Sequence, residues 1–179
     1  ATKYGDIRVV CATGNHDRIT SRHQNRAIHQ KWDSYATIIY VALKHALSKY
    51  PNVTFTIPKS PLSHYEVFGY KIGYTHADGT INVGNPYKSI NVKQLEDKIN
   101  SINAGLADSQ EYSAILYGHT HIAHMVHLKN GTVMIGNGGL PPVDPYGVSL
   151  GSFETNNGQW IFESTEEFPV GDMRLLKVS

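Results

Sequence analysis

Short β-branched runs and one long helical periodicity dominate the pattern along this chain, and each ends on glycine, proline or a polar cluster. Residues 7–12, Ile7-Arg8-Val9-Val10-Cys11-Ala12, predict a buried strand. Across residues 22–49 the apolar side chains Ile28, Trp32, Tyr35, Ile39, Leu43 and Ala46 step by three and four, continuing to Tyr50, which predicts one helix with one apolar face. Pro51 stops it. Residues 53–57 alternate like a strand, and Pro58 and Pro61 break that run. Residues 65–68 and 70–74 predict two strands turning at Gly69. Residues 91–103 predict a helix with Asn91 as N-cap and Gly105 past its end. Residues 114–117 form a short apolar run. Residues 126–128 and 133–135 flank Asn130-Gly131, a strong hairpin signal. Residues 150–154 and 160–163 flank Asn156-Asn157-Gly158 in the same manner. Strands and helices alternate first and antiparallel β follows, which predicts an α/β class. No repeat or linker divides the 179 residues, so a single domain over 1–179 is expected.

Composition narrows the function classes only slightly. Charged residues make up 17% and hydrophobic ones 40%, which suits a folded chain rather than a disordered one. Sixteen Lys and Arg against 15 Asp and Glu leave bulk electrostatics without a demand for nucleic acid. A basic rim of Arg18, Arg22, His23, Arg26 and Lys31 has two readings, a nucleic-acid backbone contact or a solvated helix face. The single cysteine, Cys11, excludes an internal disulfide, and no apolar run reaches membrane-spanning length. A cytoplasmic protein without a membrane partner is expected.

Ten histidines are many for this length, and their placement carries the chemistry. Three apolar runs end on polar residues: Gly14-Asn15-His16-Asp17, then Thr75-His76, then Gly118-His119-Thr120-His121. The C-terminal ends of strands in open α/β sheets are where ligands bind. Gly14 and Gly118 suit tight turns with close backbone approach. In an extended stretch His119 and His121 share one side. Neutral imidazole ligates zinc, iron and manganese-type ions, and Asn15 offers a carbonyl oxygen. His16 has the reach of a general acid, with Asp17 fixing its tautomer. Each element has a plainer reading as a hydrogen-bonded turn; the ordered set of three is what favours chemistry. His124 and His127 read as loop and hairpin positions, His23, His29 and His45 as solvent-facing helix positions, and His64 as a residue preceding a strand. Tyr87 and the loop 141–146 could shape a pocket or simply pack.

These motifs resemble those of the calcineurin-like metallophosphoesterases. Gly14-Asn15-His16-Asp17 matches the family's Gly-Asn-His-Asp/Glu block, Thr75-His76 resembles its middle histidine block, and Gly118-His119-Thr120-His121 matches its closing Gly-His-x-His block. The resemblance covers about residues 7–139. It implies that Asn15, His76 and His119 bind one metal and His121 a second. His16 would face the phosphate and protonate the leaving oxygen, with Asp17 beside it. Two divalent transition-metal ions, Mn, Fe or Zn, would clamp the phosphoryl group and activate water. The implied fold is an α-β-β-α sandwich of two mixed sheets.

The chain departs from the family by lacking the upstream Asp-x-His and Gly-Asp-x-x-Asp blocks, which supply the bridging carboxylate. Gly5-Asp6 lies too near Gly14 to stand in for them. The expectation is a partial sandwich without its N-terminal strands, the C-terminal part of a longer domain, completed by a missing N-terminal segment or a complementary chain. A mononuclear or inactive relative, or a site whose ligands a partner copy lends, would account for the same gap. The expected function is hydrolysis of phosphomono- or phosphodiesters, with nucleic acids and nucleotides among the substrate classes. The alternative is a non-catalytic interaction subunit on a degenerate form of the same fold.

Overall fold

The computed structural model describes residues 5–19, 32–79, 81, 84–85, 89–106, 110–140 and 158–177. The chain is mixed α/β, with a central mixed sheet and two helices among the described residues. It divides into two compact units, Ala1–Ser63 and His64–Ser179.

In the first unit, strand β1 (Ile7–Val10) pairs in parallel with β2 (Val53–Thr56), Val9 opposite Phe55. Helix α1 (Tyr35–Ala46) connects them. The parallel pair needs such a crossover, because a tight turn cannot join parallel strands. Ser34 starts the helix: it is 1% exposed, and its hydroxyl oxygen accepts the Thr37 amide at 3.2 Å. Lys44 and His45 sit in the last turn, where the helix dipole favours cations.

This helix differs from the expected one over 22–49. Residues 20–31 lie outside the described set, and Trp32 and Asp33 precede the helix rather than forming its interior. A serine cap followed by a helix-compatible run sets the start at Tyr35. The expected apolar face also stays uncovered. Tyr35, Ile38, Ile39 and Leu43 are 46–59% exposed, and α1 has no buried residue. The half-covered side is the one with Ala36, Thr37 and Tyr40, and the Tyr40 hydroxyl donates to the Ala12 carbonyl at 2.9 Å. Cys11 is buried and unpaired, and burial pushes its thiol pKa up.

In the second unit a five-stranded sheet runs in the order β3-β4-β7-β9-β8. Its strands are β3 (Ser63–Val67), β4 (Tyr70–Thr75), β7 (Tyr112–Tyr117), β8 (His124–His127) and β9 (Val133–Gly136). Phe68 at φ 49 and Gly69 at φ 82 make the two-residue turn between β3 and β4, the expected place for it. The short strands β5 (Gly84–Asn85) and β6 (Ser89–Ile90) and helix α2 (Val92–Asn103) separate β4 from β7. β4, β7 and β9 run parallel, and β8 joins β9 antiparallel across the expected Asn130-Gly131 turn.

The sheet is held on named contacts. Ile72, Ala114, Val133 and Ile135 form a buried cluster on one face, covered by Trp160, Phe162, Val170 and Met173. Those covering residues lie in or between β10 (Gly158–Phe162) and β11 (Met173–Lys177), an antiparallel pair. Gly158 is therefore the first residue of a strand and not a turn residue, and the expected partner strand 150–154 lies outside the described residues. Gly158 fits the strand because an added Cβ would sit 2.8 Å from Leu175 Cδ1.

Helix α2 has the expected Asn91 cap, whose side-chain oxygen accepts the Gln94 amide at 3.0 Å. Its residues Leu95, Ile99 and Asn103, four apart, are buried on one face. Glu96 accepts the Lys129 amide at 3.1 Å, and Asn103 accepts the Tyr112 amide at 3.3 Å. These bonds tie the crossover helix to both ends of the sheet segment that follows it.

Candidate metal-binding histidine site

Register decides which histidines meet. Thr75 at the end of β4 lies opposite Tyr117 at the end of β7, and both strands point the same way. His76 and the loop 118–121 therefore leave the sheet at one edge. The rings of His76 and His119 meet edge to face, with centroids 5.1 Å apart and planes at 70°.

Local turns shape the backbone at each histidine. The Thr75 hydroxyl accepts the Ala77 amide at 3.1 Å, closing a small turn around His76 with Ala77 at φ 75. On the other strand the Thr120 amide donates to the Gly118 carbonyl at 2.8 Å. His119 is the middle residue of that three-residue turn at φ 70, a γ-turn of the rare positive-φ kind. His121 also has a positive φ of 57. Non-glycine residues cost of order 1–3 kcal/mol in that region, so the surrounding bonds must hold them there.

The loop is not the extended segment expected from the His-x-His spacing. Alternation along a strand cannot be what places His119 and His121. Gly118 has no positive φ; the strain sits on its neighbour. An added Cβ at Gly118 would lie 3.4 Å from His76 Nδ1, an ordinary contact distance.

Two bonds from the segment after β9 brace this loop. Asn137 N–H donates to the Tyr117 carbonyl at 2.8 Å, and Gly139 N–H to the His121 carbonyl at 3.2 Å. Asn137 is itself fixed: its amide oxygen accepts the Trp160 N–H at 3.1 Å, and its NH₂ donates to Gln159 Oε1. Gln159 in turn donates to the Gly138 carbonyl at 2.8 Å.

A second clasp involves Tyr117 and His124, the latter the first residue of β8 and not the loop position expected from the sequence. The Tyr117 hydroxyl meets His124 Nε2, and His124 Nδ1 lies 2.8 Å from the Ile122 carbonyl. A carbonyl only accepts, so Nδ1 carries the proton and Nε2 accepts from the tyrosine. Burial lowers the His124 pKa, opposed by the bond to Ile122, and burial pushes the Tyr117 phenol well above its usual range. The signal available in the sequence was Gly136. It pairs with His124 across the ladder, and a Cβ there would overlap the His124 ring at 2.3 Å. A glycine inside a strand marks such close approaches.

The remaining expected site residues divide by unit. Asn15 and His16 follow β1, with His16 exposed. Asp17 caps α1: its Oδ2 accepts the Ala36 amide at 3.3 Å and its carbonyl accepts the Tyr35 amide at 2.9 Å. The Asp17 Oδ1 atom is buried without a partner among the described residues. Arg22, His23, Arg26, Lys31, Tyr87 and the loop 141–146 lie outside the described residues.

The donor set fits part of a metal site and not a dinuclear one. His76 and His119 offer two neighbouring imidazoles, and the Thr120 hydroxyl beside them is buried with no partner among the described residues. Among the described residues no three His, Cys, Asp or Glu side chains gather to hold an ion. Hard divalent pairs need carboxylate oxygens, and four ligands is the usual closed shell even for zinc.

No family profile matches the chain, and no curated protein matches it. Among solved structures it is similar to a hypothetical protein of Pyrococcus horikoshii, with 11% identity and a TM-score of 0.44, covering 99% of this chain and 64% of that one. It thus spans under two thirds of that protein's length. It is also similar to a single mutant of Vps29 from Entamoeba histolytica, with 11% identity, a TM-score of 0.42 and coverage of 95% and 99%. A third likeness is to a predicted phosphoesterase of Streptococcus pneumoniae, with 10% identity, a TM-score of 0.36 and coverage of 93% and 95%. At these identities and TM-scores the likenesses decide nothing about the site. No helix among the described residues is long and apolar enough to cross a membrane.

Proposed function

We propose that this chain carries the histidine part of a metal-dependent phosphoesterase site, completed by elements outside it. The observation that supports this reading is the His76–His119 contact at one sheet edge, with rings 5.1 Å apart on residues of two of the three family-like motifs. His76 and His119 would hold one ion. Asn15, as a further ligand, His121, as a ligand to a second ion, and His16, as the acid, belong to the proposal on motif grounds alone. Asp17 enters as the residue that anchors the Asn15-His16 segment to α1, through the Ala36 amide. When bound, manganese, iron or zinc would supply Lewis-acid polarisation of a phosphoryl oxygen and an acidified water. The substrate class is a phosphate mono- or diester, nucleotides and nucleic acids included.

A second reading is a non-catalytic subunit on the same framework. It is favoured by the apolar stripe of α1, where Tyr35 is 59% and Ile38 57% exposed.

The test uses the full polypeptide that the chain's reading frame encodes. It is dialysed against manganese, iron or zinc, assayed for retained metal, and offered an aryl phosphodiester. Retained metal and hydrolysis, both lost in His119→Ala, support the enzyme reading. Absence of both in the unaltered protein contradicts it and favours the interaction subunit.

A further inference from the structure

We propose that Tyr117 and His124 are positioning residues: their hydrogen bond clamps the loop between them and sets the His119 ring against His76. The clasp is built at the two ends of the histidine loop. Tyr117 is the last residue of β7 and His124 the first of β8. Their rings also pack edge to face, with centroids 5.4 Å apart. The loop between them holds His119 and His121 at positive φ, a state that local preference alone does not maintain. The Ile122 carbonyl takes the other nitrogen of His124, so one imidazole bonds to a strand end on one side and to the loop itself on the other.

Gly136 provides the seat. The His124 ring occupies the space a side chain at Gly136 would fill, with ring atoms 2.3 to 2.9 Å from an added Cβ. Gly136 in turn precedes Asn137, whose amide holds the Tyr117 carbonyl. The clasp and the Asn137 brace therefore grip the same residue, Tyr117, from its side chain and its backbone.

None of this requires a bound ion. The consequence for metal binding rests on the reading of His76 and His119 as ligands, but the ring geometry does not. Groups that orient a ligating histidine typically change metal affinity 10- to 100-fold when removed.

Nuclear magnetic resonance of histidine-labelled protein tests the two claims separately. In the unaltered protein His124 should be protonated at Nδ1 and not at Nε2, and the rings of His76 and His119 should show a mutual nuclear Overhauser effect. Tyr117→Phe keeps the ring and removes the hydroxyl. It should weaken that cross-peak while leaving the amide shifts of β4 and β9 in place, and should weaken zinc binding by about tenfold. Gly136→Ala displaces the His124 ring without altering Tyr117 and should likewise weaken the cross-peak and zinc binding, with the amide shifts of β4 in place. A His124 protonated at Nε2, or a cross-peak of full strength in the folded variants, overturns the proposal. If zinc leaves the histidine signals of the unaltered protein unmoved, the metal reading falls, and the cross-peak alone decides the clasp.

Discussion

His76 packs over the backbone of Gly118: an added Cβ at Gly118 would stand 3.4 Å from its Nδ1 and 3.9 Å from its Cε1. The glycine of this loop is close to the imidazole but not crowded by it. Gly73, earlier on β4, is the opposite case, since a Cβ there would lie 3.0 Å from two carbons of the Tyr112 ring. Tyr112 is 8% exposed, and Lys71 Nζ lies over its ring at 4.9 Å, so it has little freedom to withdraw.

Gly73→Ala should therefore destabilise the protein by about 1–3 kcal/mol through overpacking. Gly118→Ala should cost under about 1 kcal/mol, within the range of ordinary substitutions. Urea unfolding of the two variants checks the contrast. Equal losses would mean that Gly118 is held by something other than contact with His76.

The clasp at His124 makes stability depend on pH in a defined direction. Burial lowers its pKa below the ordinary 6.5. The folded protein then binds fewer protons than the unfolded chain between the two values. The stability contributed by neutral His124 is fully present above about 6.5 and is lost as pH falls through the lower folded value. Unfolding measured from neutral to mildly acidic pH should show a smaller acid loss in His124→Gln than in the unaltered protein. An identical slope would contradict a half-buried neutral imidazole.

The two helices should respond oppositely to truncation. Leu95 on α2 is 0% exposed, and Leu95→Ala should cost about 2–5 kcal/mol. Ile39 on α1 is 55% exposed, and Ile39→Ala should change stability by less than about 0.5 kcal/mol. A large loss at Ile39 would show that the apolar stripe of α1 is covered in solution.

That contrast also marks how far the sequence can be read. The extent of helix α2 is legible, because the Asn91 cap and Gly105 past the end are local signals. The hairpin at Asn130-Gly131 is legible for the same reason. The three-and-four spacing starts helix α1 too early, since it continues through Trp32 while the decisive feature is the Ser34 cap. Nor does it say which face is covered, because periodicity locates a stripe and not what packs on it.

At the candidate site the meeting of His76 and His119 follows from strand ends, which hydrophobic runs reveal. The backbone geometry of His119 does not, because its residue type does not favour φ 70. The Tyr117–His124 clasp and the Asn137–Gln159 brace depend on register between strands distant in sequence. Only Gly136, an unexplained glycine in an apolar strand, points toward them.

Zinc titration followed through the imidazole nitrogen signals asks whether His76 and His119 act together on one ion, as proposed. The His76 and His119 signals should shift together and saturate together, and His76→Ala should abolish the shift at His119 while leaving His64 and His127 unaffected. Independent shifts at all histidines, or none at His76 and His119, would rule out a shared ion.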